Sequence, residues 1–345
     1  MRVGILTAGG DCPGLNAVIR ASARRLLERG HEPIGLLKGY RGLAYGELRP
    51  LDYGASSGIL HLGGTILSTS SFDPFREPGA LERIDAERRR SGLDALIAIG
   101  GEHTMDITRR LHDELDLPAV GVPKTIDNDV VGTDFTFGFD TAVQVATDAL
   151  DRLHTTAQSH DRIMIVEVMG RNVGWIAMHA GLAGGADGIV IPELTLTVED
   201  LAATVERRHE RGKNFSIIVV AEGAELAFAS GERRTVRASE STDAYGYSQL
   251  GGIGSALATE LARATGYEAR VTTLGHVQRG GTPTSTDRIL ATRYGIQAAE
   301  LTLSGETGRM AAVHGNEMTS VPLSEVRGLK QVDLRLLEVA RTFFA

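Results

Sequence analysis

The stretch Gly121–Ala142 reads GVPKTIDNDVVGTDFTFGFDTA, and the organisation of the whole chain can be worked out from it. It begins inside an apolar run, Ala119–Val122, of strand type. A polar burst follows at once: Lys124, Thr125, Asp127, Asn128 and Asp129 fall within six positions. A helix is expected next, with Asp140 or Thr141 as its N-cap. A strand that opens into a polar loop and returns as a helix is the unit of an open α/β sheet, where ligands bind beyond the carboxyl ends of the strands. Asn and Asp also suit a plain solvated turn. A cation, a hydroxyl and two carboxylates together suit phosphoryl transfer better: carboxylates take a proton and help hold Mg²⁺, and a lysine neutralises transferred charge.

The same pattern recurs outward in both directions. Val3–Thr7 ends in AGGDCPG before a helix at Leu15–Arg29, and Ile34–Leu37 ends at Lys38-Gly-Tyr-Arg. Ala95–Ile99 ends in GGEHT before a helix at Met105–Leu115, Ile163–Val168 ends in MGR, and Phe215–Val220 ends in AEGAE. Ala269–Leu274 leads through GHVQRGGTPTSTD to a helix at Ile289–Leu301. This alternation predicts a mostly parallel sheet covered on both faces. The polar segment Ala229–Gln249 reads as a surface loop.

Chemistry-bearing residues cluster where these strands end. The turn Gly9–Gly14 can cradle a phosphate with backbone N–H groups and a helix N-terminus. It is not a Gly-x4-Gly-Lys-Ser/Thr loop, and no GxGxxG follows the first strand, so a dinucleotide-binding domain is disfavoured. Glu102 can hold Mg²⁺ through oxygen or water. Arg162, Arg171, Arg270, His276 and Arg279 form a cationic set near strand ends, suited to phosphate oxygens. Glu222, directly after a buried strand, can accept hydrogen bonds from sugar hydroxyls.

Totals narrow the reading further. The 345 residues are 42% apolar and 23% charged, as in a globular protein. The single cysteine, Cys12, excludes an intramolecular disulfide and fits a reducing compartment, so a cytoplasmic location is expected. No apolar run approaches the roughly 20 residues of a membrane span. A net charge of −8 argues against nucleic-acid binding, so positive charge toward a polyanionic substrate has to be local.

GGDCPGLNAVIR, GGTILSTS, IGGE, PKTIDND, TFGFDTA, VEVMGRNVGW, AEGA, GHVQRGGTPTSTDR and GNEMTSVPL occur in that order along essentially the whole chain. On these motifs the chain resembles a bacterial-type 6-phosphofructokinase, in the branch that mixes ATP-dependent and pyrophosphate-dependent members. The resemblance implies an α/β protein of two similar three-layer α/β/α lobes with mostly parallel sheets and an active site in the cleft between them. Residues from 1 to about 138 would form the lobe for donor phosphates and Mg²⁺, with C-terminal helices able to pack back on it, and those from about 139 to 345 the lobe for the sugar phosphate. The reaction implied is phosphorylation of the 1-hydroxyl of fructose 6-phosphate, a glycolytic step using Mg²⁺. Asp127 would be the base, Thr125 would line the reacting centre, Asp129 would support the metal or the base, and Arg171, after Met169 and Gly170, would stabilise the transferring phosphoryl group. Glu222, His276 and Arg279 would hold the sugar. Arg162 and Arg270 would reach its 6-phosphate from a neighbouring subunit, which implies a homodimer or homotetramer with shared active sites. Gly10, Tyr40, Ser71, Glu102, His103 and Thr104 would lie on the donor side.

This sequence departs from the family pattern at the donor. His103 stands where glycine marks ATP users and aspartate marks pyrophosphate users. Its imidazole should obstruct an α-phosphate. Ser71 replaces an arginine that bridges donor and sugar, with Lys124 as compensation, and Asp106 and Ile107 replace small residues near an adenine. Pyrophosphate is therefore slightly favoured over ATP. A kinase of another phosphosugar, such as sedoheptulose 7-phosphate, and a non-catalytic sugar-phosphate-binding regulator are the alternatives, the latter opposed by the intact Asp127, Asp129 and Arg171. Arg20, Arg24, Arg211 and Lys213 resemble part of an effector site, but His154 replaces an arginine there and Leu51–Ser57 offers no cation, so weak or absent nucleotide control is expected.

Overall fold

The computed structural model describes residues 1–242 and 248–344. In chain order the elements are β1 (Arg2–Thr7), α1 (Leu15–Glu28), β2 (Glu32–Leu36), α2 (Tyr40–Tyr45), β3 (Leu48–Pro50), α3 (Ala80–Ser91), β4 (Ala95–Gly100), α4 (Glu102–Leu115), β5 (Ala119–Pro123) and α5 (Phe139–His160). Then come β6 (Ile163–Val168), α6 (Trp175–Ala183), β7 (Gly188–Val190), α7 (Val198–Glu210), β8 (Ser216–Ala221), β9 (Glu225–Ala227), β10 (Arg233–Thr235), β11 (Arg237–Thr242), β12 (Ser248–Leu250), α8 (Ile253–Thr265) and β13 (Ala269–Thr273). The remainder is α9 (Ser285–Ser304), the hairpin β14 (Arg309–His314) and β15 (Glu317–Pro322), and α10 (Arg335–Arg341).

Two compact units emerge: residues 1–141 with 279–328, and residues 142–278 with those from 329 on. The first is built on a seven-stranded sheet of order β15-β14-β5-β4-β1-β2-β3. From β14 to β2 neighbouring strands run parallel, and only the edge strands β15 and β3 pair antiparallel. The second unit carries a four-stranded, all-parallel sheet of order β13-β6-β8-β7. Central strands such as ALIAIG, IMIVEV and SIIVVA are buried at every position, as largely apolar strands covered on both faces are.

Several local expectations are corrected. α5 begins at Phe139, so Asp140 and Thr141 lie in its first turn instead of capping it. α9 begins at Ser285, well before Ile289, because Thr284 caps it by accepting from the Asp287 N–H. α4 begins at Glu102, so Glu102, His103 and Thr104 form its first turn, where N–H groups and the helix dipole favour anions. The segment 229–249, expected as a loop, instead forms β10, β11 and β12; its residues 243–247 lie outside the described residues.

Candidate active site

The turn after β5 is tied down from several directions. Lys124 continues the sheet by donating its N–H to Gly100 O at 2.9 Å, and its side-chain amine donates to Gly10 O. Lys124 is buried, and desolvation holds its amine below the ordinary lysine range. Thr125 Oγ1 accepts the Asp127 N–H at 3.0 Å. Asn128 takes a left-handed conformation (φ 52°), which short polar side chains tolerate. Its Oδ1 accepts the Thr136 N–H at 3.0 Å, and the Thr136 hydroxyl donates back to Thr125 O at 2.9 Å. Asp127 and Asp129 thus project half-buried from a rigid turn, the arrangement a general base needs.

The glycine loop after β1 lies against the same turn. Thr69 donates its hydroxyl to Gly9 O at 2.6 Å, and Ser70 donates to Lys38 O at 2.6 Å, bringing the segments at 9, 38 and 70 together. At position 10 a Cβ would stand 2.9 Å from Nη1 of Arg279, so only a glycine lets the guanidinium keep this position. Arg279 also donates to Asp11 O at 3.3 Å, so the guanidinium expected at the sugar lies over the Gly9–Gly14 loop. Cys12 is buried below, its thiol directed at Phe137 O and pushed up to about 12 by desolvation.

On the first turn of α4, Glu102 Oε1 accepts the Gly328 N–H at 3.2 Å. His103 Nε2 stands 3.3 Å from Asp73 Oδ2, and Ser71 is exposed on the same loop as Asp73. Thr104 is buried against Gly100. Tyr40 is buried, and its hydroxyl bonds Thr104 O at 2.9 Å and Thr108 Oγ1 at 2.8 Å, so it anchors α2 beneath α4. Ile107 belongs to the core on the inner face of α4. Asp106 pairs with Arg109 at 2.8 Å on the outer face.

In the second unit, Met169, Gly170 and Arg171 follow β6, and Glu222 follows its neighbour β8. Glu222 N–H donates to Val168 O at 2.9 Å, and Gly223 N–H to Gly170 O at 3.0 Å. A Cβ at 223 would stand 1.7 Å from Arg171 O, so the two loops touch backbone to backbone. Met169 N–H donates to Gln278 Oε1 at 3.3 Å, in the turn that also holds exposed His276. Arg162 and Arg270 lie at the other end of these strands. Arg162 pairs with Glu268 at 2.8 Å, and Arg270 pairs with the same carboxylate. Six strand residues lie between Arg162 and Met169, a separation of about 23 Å at 3.3 Å per residue step. The structure therefore brings Met169, Gly170, Arg171, Glu222 and His276 together and leaves Arg162 and Arg270 apart from them.

Of the resembled effector cations, Arg24 donates to Ser56 Oγ at 2.8 Å and Tyr53 O at 2.9 Å, and His154, which replaces an arginine there, has its Nε2 2.6 Å from Gly184 O. The roles of Asp73 and Thr136, and the left-handed backbone of Asn128, escaped the sequence reading. An Asn between two aspartates was the available signal for a left-handed turn. Among the described residues, no three His, Cys, Asp or Glu side chains gather as metal ligands, and no helix is long and apolar enough to cross a membrane.

The phosphofructokinase family profile matches residues 2–302. A pyrophosphate–fructose 6-phosphate 1-phosphotransferase of Amycolatopsis methanolica is 52% identical over 346 residues, covering 100% of both chains. An ATP-dependent 6-phosphofructokinase 2 of Streptomyces coelicolor is 51% identical, again over 100% of both. Among solved structures, Pichia pastoris phosphofructokinase in the T-state superposes with a TM-score of 0.81 at 30% identity; the match covers 99% of this chain and 36% of that one. The strand-end motifs, the parallel sheets that carry them and a match of this extent lead to one conclusion: the chain belongs to the phosphofructokinase family.

Proposed function

We propose that the chain transfers a phosphoryl group to the 1-hydroxyl of fructose 6-phosphate, giving fructose 1,6-bisphosphate, with pyrophosphate favoured over ATP as donor. The observation that carries the reading is the bond from the Lys124 amine to Gly10 O, which joins the turn bearing Asp127 to the loop suited to donor phosphates. Asp127 takes the proton of the attacking hydroxyl, and Thr125 orients it. Lys124 and Arg171 stabilise charge on the transferring group. Glu222, Met169, Gly170 and His276 hold the sugar, while Gly10, Ser71, Glu102, His103 and Thr104 face the donor.

The residues present fit Mg²⁺ of the kind that arrives with its phosphates. Mg²⁺ keeps several waters and needs one or two carboxylates, not a protein cage. Asp129 and Glu102 would hold it, and when bound it neutralises charge on the donor oxygens. What supports pyrophosphate is the imidazole of His103 in the first turn of α4, beside Asp73, where bulk opposes an α-phosphate. Relatives bearing both donor names are about equally similar, so identity does not choose. The separation of Arg162 and Arg270 from Arg171 supports a homo-oligomer in which a second copy supplies them.

The test is fructose 1,6-bisphosphate formation with Mg²⁺ and either donor in parallel. Turnover with pyrophosphate alone is expected. Turnover with ATP alone would overturn the donor assignment, and turnover with neither would overturn the substrate.

A further inference from the structure

The first turns of α5 and α9 are bonded side by side, through residues the reaction does not otherwise use. Asp287, in the first turn of α9, is fully buried. Its Oδ2 accepts the Thr141 N–H at 2.8 Å and the Thr141 hydroxyl at 2.5 Å. Thr284 closes the other side, donating its hydroxyl to Asp140 Oδ2 at 2.5 Å and its N–H to Thr141 Oγ1 at 3.0 Å. Asp287 Oδ1 is buried and has no hydrogen-bond partner among the described residues. Asp140 faces the carboxyl from α5, the Gly138 N–H from the segment before it, and Cys12 from the loop before α1.

A buried carboxylate with one oxygen unsatisfied is a costly way to join two helices when a neutral side chain would serve. Its placement gives it a use. α5 is continuous with the 125–138 segment, where Thr136 holds the turn of Asp127. α9 is continuous with the 279–284 loop, where Arg279 lies over Gly10 and Asp11. We propose that Asp287 is a positioning residue for phosphoryl transfer, fixing the Asp127 turn relative to Arg279 and the phosphate loop. The proposal rests on the phosphofructokinase reading. Asp287 touches no substrate and acts through Thr141, with Thr284 completing the lock.

Asp287→Asn, Thr141→Val and Thr141→Ser test it, read by steady-state kinetics and amide hydrogen exchange on the intact protein. Asp287→Asn should fold and lose roughly tenfold or more in kcat, with KM for sugar and donor within about threefold, because misplacement costs turnover more than affinity. Exchange should quicken in 125–138 and 279–284 and stay slow in β1 and β4. Thr141→Val should shift the same way, Thr141→Ser should restore the wild-type values, and the Asp287→Asn, Thr141→Val pair should be no worse than the worse single change. A folded Asp287→Asn with kcat within about twofold of wild type, or with unchanged exchange, overturns the proposal. Should Asp287→Asn fail to fold, equal kinetics for Thr141→Val and Thr141→Ser overturn it. Wild-type protein inactive with both donors refutes the functional reading instead, and unchanged exchange would still refute the lock.

Discussion

Lys124 and Gly10 are 114 residues apart, yet the side-chain amine of one donates to the backbone carbonyl of the other. That bond places a desolvated cation between the loop that follows β1 and the turn that follows β5. Lys124→Met keeps the length of the side chain and removes the charge. Turnover should fall roughly 10²–10³-fold, the usual cost of losing one donor to developing charge. Melting temperature should hold or rise, since a buried cation is itself a burden. Steady-state kinetics beside calorimetry check both halves.

Asp127→Ser should lower kcat by about 10²–10⁴-fold while fructose 6-phosphate still binds. Calorimetric titration with the sugar distinguishes this from a lost site. Sugar binding lost together with turnover would mean that Asp127 holds the substrate and is not simply its base.

Gly10→Ala puts a Cβ 2.9 Å from the end of the Arg279 side chain. The guanidinium can swing aside, so folding should be almost unaffected. The donor KM should rise several-fold, because the phosphate loop loses its cation. A donor KM equal to wild type would place the phosphates elsewhere.

Arg162→Ala and Asp127→Ser subunits, each nearly inactive, should regain activity when unfolded and refolded together. In a shared site one copy supplies Arg162 and the other Asp127, so a mixed oligomer contains one intact site. Absence of rescue would confine the site to a single chain.

Asp287 predicts opposed pH responses of stability and rate. Its carboxyl is raised from 3.8 to about 6, chiefly by burial. The native state therefore holds this proton more tightly than the unfolded chain does. The stability this confers is complete below about 4 and is lost as pH rises through 6; above that, the buried charge costs about 3 kcal/mol. The ionised form is the one favoured by the two Thr141 hydrogen bonds, so kcat should decline as pH falls through about 6. Asp287→Asn should flatten the stability change between pH 4 and 7, read from denaturant midpoints.

Much of this was legible in the sequence, for a physical reason. Runs such as ALIAIG, apolar at every position, and IMIVEV, apolar but for Glu167, read as central parallel strands, and their polar followers read as strand-end loops. What escaped depended on side-chain direction and on partners far along the chain. Tyr40 sits beside a phosphate-type loop in sequence, but nothing local says that its ring turns under α4. Nothing in the sequence sets Glu268 between Arg162 and Arg270; that needs β6 and β13 to pair. The strands at 233–250 are polar and short, without the apolar alternation that announces a hairpin. Asp287 reads as a good first-turn residue of a helix; its second task needs Thr141, 146 residues away.

The return of residues 279–328 to the first unit sets an order of assembly during synthesis. Until those residues leave the ribosome, β5 has no β14 beside it, and α1 lacks the backbone of α9 at Gly295, which accepts the Ser22 hydroxyl at 3.0 Å. The unit that begins the chain is therefore among the last parts to be completed. A nascent chain stalled near residue 141 exposes an open sheet edge and an unpacked helix face, the features that recruit chaperones or promote aggregation. The parallel sheet of β6, β7, β8 and β13 has all its strands once residue 273 is made.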